Sequence, residues 1–255
     1  MIRAALFAIV VASAAPALGE TPASYRLYAV GRYDEAIKAG LAQNDALGFS
    51  AAARAALAEE VSRDQPCLEC LQKAEDYARR AIADDPKLAD GQVYLALSLG
   101  FESRIEGPLV ARLHNYPSQA KNALDAALLD DPKDAWALAA LGGWNVEIVR
   151  FAGRRLAGWI YGATIANGLD LFQQAFKTAP ENISVRFQYA LSLSSYDAEE
   201  YRDQIADALK QVVGGTTDTV YGRVVQKRAG ELLDLLKKGD RDAYRTLVRK
   251  YEGYP

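Results

Sequence analysis

Residues 118–144 read SQAKNALDAALLDDPKDAWALAALGGW, and residues 167–180 read NGLDLFQQAFKTAP. In the first block Ala120, Leu124 and Ala127 recur at spacings of 4 and 3, which puts them on one helix face that must pack against something. The block breaks at Asp130-Asp131-Pro132, because proline cannot continue a helix and disfavours helical backbone at the residue before it. A second apolar run opens at Ala135, and the later block stops in the same way at Pro180. The pattern is helix, Asp-Asp-Pro turn, long aromatic-rich helix, further helix, proline stop.

The same unit recurs outward. Residues 74–86 read AEDYARRAIADDP, with Ala74, Ala78 and Ala81 on one face before Pro86, and Gly168, Phe172 and Ala175 repeat the register before Pro180. Pro86, Pro132 and Pro180 lie 46 and 48 residues apart. A two-helix repeat of the tetratricopeptide type needs about 34 residues, so the excess sits inside the hairpins as longer helices or inserts.

Gly31-Arg32-Tyr33-Asp34-Glu35-Ala36-Ile37 resembles the turn into the second helix of a tetratricopeptide repeat, and Trp136 falls where that family places its first-helix tryptophan. The block from Leu141-Gly142-Gly143-Trp144 through Gly162-Ala163-Thr164 to Phe172, Ala175 and Pro180 resembles the regulator of microtubule dynamics family, a divergent tetratricopeptide group. These resemblances imply an all-α fold, a right-handed solenoid of stacked antiparallel hairpins, and a surface that binds a protein or peptide. No microtubule role is carried over.

Composition agrees with a helical fold. Half of the 255 residues are hydrophobic and a quarter are charged, enough apolar material for a core. Alanine-rich runs favour helix, while Ile183-Ser184-Val185 and Val212-Val213 are too short to suggest a sheet. The net charge of −3 is dispersed, with no basic arm, which argues against a nucleic-acid partner.

Met1-Ile2-Arg3, the apolar run Ala4–Ala15 and the small residues of Ala17-Leu18-Gly19 read as a secretory leader over residues 1–19, cleaved after Gly19. Twelve such residues are too few to span about 30 Å of hydrocarbon, and no later run reaches spanning length. The expectation is an exported, soluble protein in the periplasm or an equivalent extracytoplasmic space. Residues 20–213 are predicted to form the repeat domain. Gly214-Gly215 marks a boundary, and residues 216–255 form a capping pair of helices. Gly107-Pro108 opens an irregular insert running to Pro117 that holds the only histidine, His114.

Candidate chemistry is sparse. Cys67-Leu68-Glu69-Cys70 could serve thiol exchange, haem attachment or zinc. Leu71 stands where haem attachment needs histidine, the ligand set for zinc is incomplete, and no thioredoxin-like βαβ pattern surrounds the motif. The expectation is a local disulfide between Cys67 and Cys70, suited to an oxidising compartment. No catalytic motif supplies His114 with a partner, so catalytic residues, metal and cofactors are expected to be none. Trp136, Trp144, Phe151 and Trp159 are spaced by 8, 7 and 8 residues, which keeps side chains on roughly one helix face; Gly142, Gly143, Gly153 and Gly158 inside this helix mark close helix contacts or a break near Gly153. That face either packs a core or lines a groove. Arg150 and Arg154 lie one turn apart beside Arg155, close enough to clamp one anion, with Asn145 a further donor. The candidate partner site is therefore Trp144, Asn145, Arg150, Arg154 and Arg155. Two readings follow: a non-catalytic scaffold with a groove for a protein or peptide, and an alternative, a periplasmic solute-binding component of a transporter.

Overall fold

A computed structural model describes residues 22–255; the predicted leader lies outside the described residues. Thirteen α-helices and one π turn make up the described chain, with no strand among the described residues. The helices are α1 (Ala23–Ala29), α2 (Tyr33–Gln43), α3 (Ala46–Ser62), α4 (Leu68–Asp84), α5 (Ala89–Glu106), α6 (Pro108–Leu113) and α7 (Tyr116–Asp130). Then come α8 (Ala135–Leu156), the π turn (Ala157–Tyr161), α9 (Ile165–Thr178), α10 (Ile183–Asp197), α11 (Arg202–Gly214), α12 (Val220–Lys238) and α13 (Arg241–Tyr251). Each helix packs mainly on its neighbours in sequence, as stacked hairpins do.

The repeat is visible in its turns. The amides of Asp85, Asp131 and Ala179 donate to the carbonyls of Ala81, Ala127 and Ala175 and close the three helices. Three residues on, the amides of Leu88, Asp134 and Asn182 donate back to Asp85, Asp131 and Ala179 at 3.1–3.2 Å. The Asp85 and Asp131 carboxylates then accept the Lys87 and Lys133 amides, each at 3.0 Å. The prolines sit where no helical amide is needed, so one local sequence builds the same turn twice and a close copy a third time.

The faces read from the sequence are buried: Ala74, Ala78 and Ala81; Ala120, Leu124 and Ala127; Phe172 and Ala175. Glycine permits the closest helix contact. A Cβ on Gly168 would sit 3.0 Å from the Gly142 carbonyl, and one on Gly142 would sit 2.9 Å from the Phe172 ring. So α8 and α9 touch backbone to backbone.

The structure corrects one local expectation and bears out another. The insert after Gly107 is not irregular: Pro108 occupies the first turn of α6, where its missing amide costs nothing, and Asn115 in the left-handed region turns the chain into α7. The long aromatic helix breaks at Gly153, one of the two roles read for its internal glycines. Gly153 adopts φ 75° and ψ 155°, and the chain beyond it swings into the π turn.

The last hairpin does more than cover the end of the stack. Leu232, Leu236 and Val248 share a core with Leu193, Ile205 and Leu209 of α10 and α11. The hairpin also crosses to the first half of the chain. The Arg228 guanidinium donates to the Val61 carbonyl, Lys250 pairs with Asp64 at 3.1 Å, and Arg104 donates to the Glu252 carbonyl at 3.3 Å. No helix among the described residues is long and apolar enough to cross a membrane.

Candidate functional site

Between α1, α3 and α5 on one side and α10 and α12 on the other lies a cleft of about 470 Å³. Its position follows from the closure just described: Arg228, stacked 4.6 Å over the Tyr251 ring, holds α12 against α3 and forms the far wall. The near wall is aromatic, with Tyr25 and Tyr28 one helical turn apart on α1 and Tyr94 on α5.

Arg54 is the one cation on this near wall. It is the only charged residue in an alanine-rich stretch of α3 running from Ala46 to Ala58. Its guanidinium carbon lies 4.7 Å from the Tyr28 ring centre and 5.1 Å from that of Tyr25, so both rings offer it their electron-rich faces. Its Nε is buried and meets no hydrogen-bond partner among the described residues. Asp90 also lines the cleft. Burial, then the negative charge of Asp134, holds its carboxyl above the usual range, with Arg54 pulling the other way. No carboxylate lies within ion-pair distance of Arg54 among the described residues. Burial pushes the Tyr28 and Tyr94 hydroxyls up, and Tyr221 to about 12, so these groups stay neutral donors. A half-buried donor fork framed by aromatic faces suits a planar anion such as a carboxylate.

The residues singled out in the sequence fall elsewhere. Trp144 is 9% exposed and packs in the core, its indole N–H donating to the Pro117 carbonyl at 2.9 Å. Asn145 is buried; its amide donates to the Leu141 carbonyl and its oxygen accepts the Thr164 amide at 3.1 Å, tying the loop after the π turn to α8. Neither stands on a groove wall in this packing. Arg150 turns to Glu147 at 3.8 Å and to the Tyr254 hydroxyl, while Arg154 bonds Tyr196 at 3.0 Å and Arg155 is exposed. The two arginines thus serve different neighbours within the chain. Of the four aromatics, Trp136 alone lines the cleft.

Two polar clusters involve α5 away from the cleft. Arg104 grips Glu147 through two bonds of 2.7 and 2.9 Å. Burial works against the Glu147 charge, but Arg104 and Arg150 outweigh it and hold the carboxyl below the usual range. On α5, Glu102 is fully buried against Glu75, Glu106 and Tyr116. Burial, then Glu75 on α4 and Glu106 on α5, push Glu102 up to about 8, with Tyr116 of α7 pulling the other way.

Cys67 and Cys70 are joined as a disulfide with Cα atoms 5.2 Å apart, at the start of α4. The Glu60 carboxylate accepts the Cys67 amide at 2.7 Å behind it. His114 sits in the turn after α6, with Nδ1 3.0 Å from the Tyr116 hydroxyl.

Arg54 was not among the residues singled out above. The available signal was its isolation as a lone charge in an alanine-rich helix; what gives it meaning, the rings of α1, comes from tertiary packing.

The family model described as Regulator of microtubule dynamics protein 1-3 matches residues 33–237, most of the chain. No curated relative matches.

Proposed function

Because this chain belongs to the regulator of microtubule dynamics family, a group of tetratricopeptide-like helical proteins, we propose that it is a non-catalytic binding module. Its cleft holds an extended segment of a partner protein, and Arg54 pairs with a carboxylate of that segment. The observation that carries this reading is the Arg54 guanidinium, framed by Tyr25 and Tyr28, with its buried Nε unpaired in a cleft of about 470 Å³. A guanidinium whose buried Nε lacks a partner gains most from a ligand that restores that bond.

The test is an array of decapeptides carrying free or amidated C-termini. The wild type should retain a subset with free carboxylates, Arg54→Leu should lose them, and Arg54→Lys should retain them weakly. Equal binding by wild type and Arg54→Leu, with matching melting curves, refutes the reading.

A cleft of this volume also falls in the range of small-molecule sites. That supports the second reading, a solute-binding component of a transporter. Small organic acids that shift the melting temperature of the wild type, on a protein that retains no peptide, would favour it.

We also infer export to an extracytoplasmic space. The leader pattern of residues 1–19 and the short-range disulfide support this. Cell fractionation with N-terminal sequencing tests it: a mature start at Glu20 in the envelope fraction is expected, and a cytoplasmic chain retaining Met1 refutes it.

A further inference from the structure

Beside the disulfide stands a carboxylate in an unfavourable place. Glu60 lies in the last turn of α3, where the helix dipole disfavours a negative charge, and its side chain is only 6% exposed. Its Oε1 accepts the Cys67 amide at 2.7 Å. Its Oε2 is buried and accepts no hydrogen bond among the described residues. The Arg63 Nε stands 3.5 Å from that oxygen, but Arg63 is exposed and also pairs with Glu59 at 2.7 Å.

One oxygen of Glu60 and the sulfurs of Cys67 and Cys70 all lie within 4.8 Å of one another. Zinc, held at about 2.3 Å from sulfur and 2.0–2.2 Å from oxygen, sets tetrahedral ligand atoms about 3.5–3.8 Å apart. Small side-chain rotations therefore bring all three donors to one ion once the S–S bond is open. The sequence left zinc with an incomplete ligand set; the third donor comes from the preceding helix, seven residues before Cys67. The surroundings suit thiolates, since Cys67 Sγ accepts the Cys70 amide at 3.2 Å at the start of α4. Cys67 and Cys70 are half-buried and Glu60 lines a cavity of about 330 Å³, so an ion has a route in and a water can complete its shell. Two thiolates with one carboxylate select zinc over calcium or magnesium, which take oxygen ligands. None of the three residues lines the Arg54 cleft.

We propose that the dithiol form of this protein binds one zinc ion through Cys67 Sγ, Cys70 Sγ and a Glu60 carboxylate oxygen, and that metal and disulfide are alternative closures of the turn between α3 and α4. Every disulfide begins as two thiols, so the chain passes through this form before oxidation, and exchange with a dithiol restores it. In that exchange the dithiol leaves as its own disulfide, and its two electrons and two protons convert Cys67 and Cys70 to thiols. Zinc then displaces both thiol protons to solvent and forms two Zn–S bonds and one Zn–O bond. The S–S bond withholds both thiolates, so oxidation expels the ion. Either closure holds the turn that carries Val61 and Asp64 to the last hairpin.

The experiment titrates cobalt(II), a coloured stand-in for zinc, into the full chain as purified and after reduction by a phosphine that is then removed under argon. The reduced wild type should take one cobalt per chain. Thiolate-to-cobalt charge transfer should appear in the near ultraviolet with the visible bands of a tetrahedral ion, and zinc should abolish both. The oxidised protein should show neither. Cys67→Ser/Cys70→Ser should lose the charge-transfer band. Glu60→Gln should bind at least about tenfold more weakly, whereas Glu59→Gln should bind like the wild type. X-ray absorption of the zinc-loaded wild type should count two sulfurs and two lighter atoms, a reading that stands even where Glu60→Gln fails to fold. Absence of the charge-transfer band in the reduced wild type overturns the proposal, as does equal cobalt binding by the oxidised protein. Glu60→Gln that folds and binds like Glu59→Gln overturns it by removing the third ligand. One ion per two chains with four sulfurs overturns it in favour of a site shared between copies.

Discussion

Replacing Glu102 with glutamine should make the protein more stable in alkali and leave it unchanged in mild acid. The folded carboxyl is pushed up to about 8 from an ordinary value of 4.5, by burial and by Glu75 and Glu106. The unfolded chain therefore releases its proton first as pH rises. The folded state binds more protons between those values, so the contribution is fully present below pH 4.5 and is lost as pH climbs through about 8. At about 1.4 kcal/mol per pH unit, the interval sets a ceiling of about 5 kcal/mol. Relaxation and water penetration around the buried charge take part of this, leaving about 2–3 kcal/mol to Glu102. The substituted glutamine keeps the shape, stays neutral, and offers an amide donor to the two neighbouring carboxylates. Urea unfolding of both proteins at pH 5, 7 and 9 reads the effect as a change in midpoint at constant m. The curves should coincide at pH 5 and diverge by about 2–3 kcal/mol at pH 9. Parallel pH dependences in the two proteins would refute the assignment of the buried proton to Glu102.

Gly168→Ala should cost about 1–3 kcal/mol in urea unfolding, because the added carbon meets the Gly142 carbonyl and Val146, both at 3.0 Å; a cost near zero would mean that α8 and α9 separate freely. Trp144→Ala should cost about 3–5 kcal/mol, whereas Arg154→Lys should stay within about 0.5 kcal/mol, and comparable losses would contradict the placement of Trp144 inside and Arg154 outside. Cys67→Ser should cost about 1–2 kcal/mol, since so short a loop adds little unfolded-state entropy; titration of the native protein should find no free thiols, and two free thiols under denaturing conditions would contradict the bridge.

The parts of the fold that could be read from the chain are those set by local chemistry. Asp-Asp-Pro fixes its own turn through hydrogen bonds no more than four residues long, so three helix ends were legible before any tertiary contact was known. Pro108 shows the limit: the same residue type that stops a helix at Pro132 starts one when it falls in the first turn. The regular spacing of Trp136, Trp144, Phe151 and Trp159 assumed a straight helix. Gly153 breaks the register only beyond Phe151 and leaves Trp159 to solvent, while the eight-residue step from Trp136 to Trp144, about 80° around a helix of 3.6 residues per turn, puts one at the cleft and the other in the core. Arg150 promised a clamp for a foreign carboxylate, but Glu147 one turn away and Tyr254 at the far end of the chain already occupy it. The cleft was least legible. Its arginine, its tyrosines and its far wall come from α3, α1 and α12, and only the completed stack brings them together.

The return of the last hairpin to α3 changes what kind of object the stack is. A linear array of hairpins behaves as a row of neighbours, each able to loosen from a free end without troubling the rest. Here Arg228 reaches back 167 residues to Val61, and Lys250 reaches back 186 residues to Asp64. The row is thereby fastened into a loop, and fraying at either terminus has to break a contact held by the other. Such closures are the slowest contacts for a chain to find, because the whole intervening length must be in place first. The cleft is accordingly the last part of the molecule to form: the early hairpins can stack as they emerge, but Arg54 gains its opposite wall only when the final helices arrive.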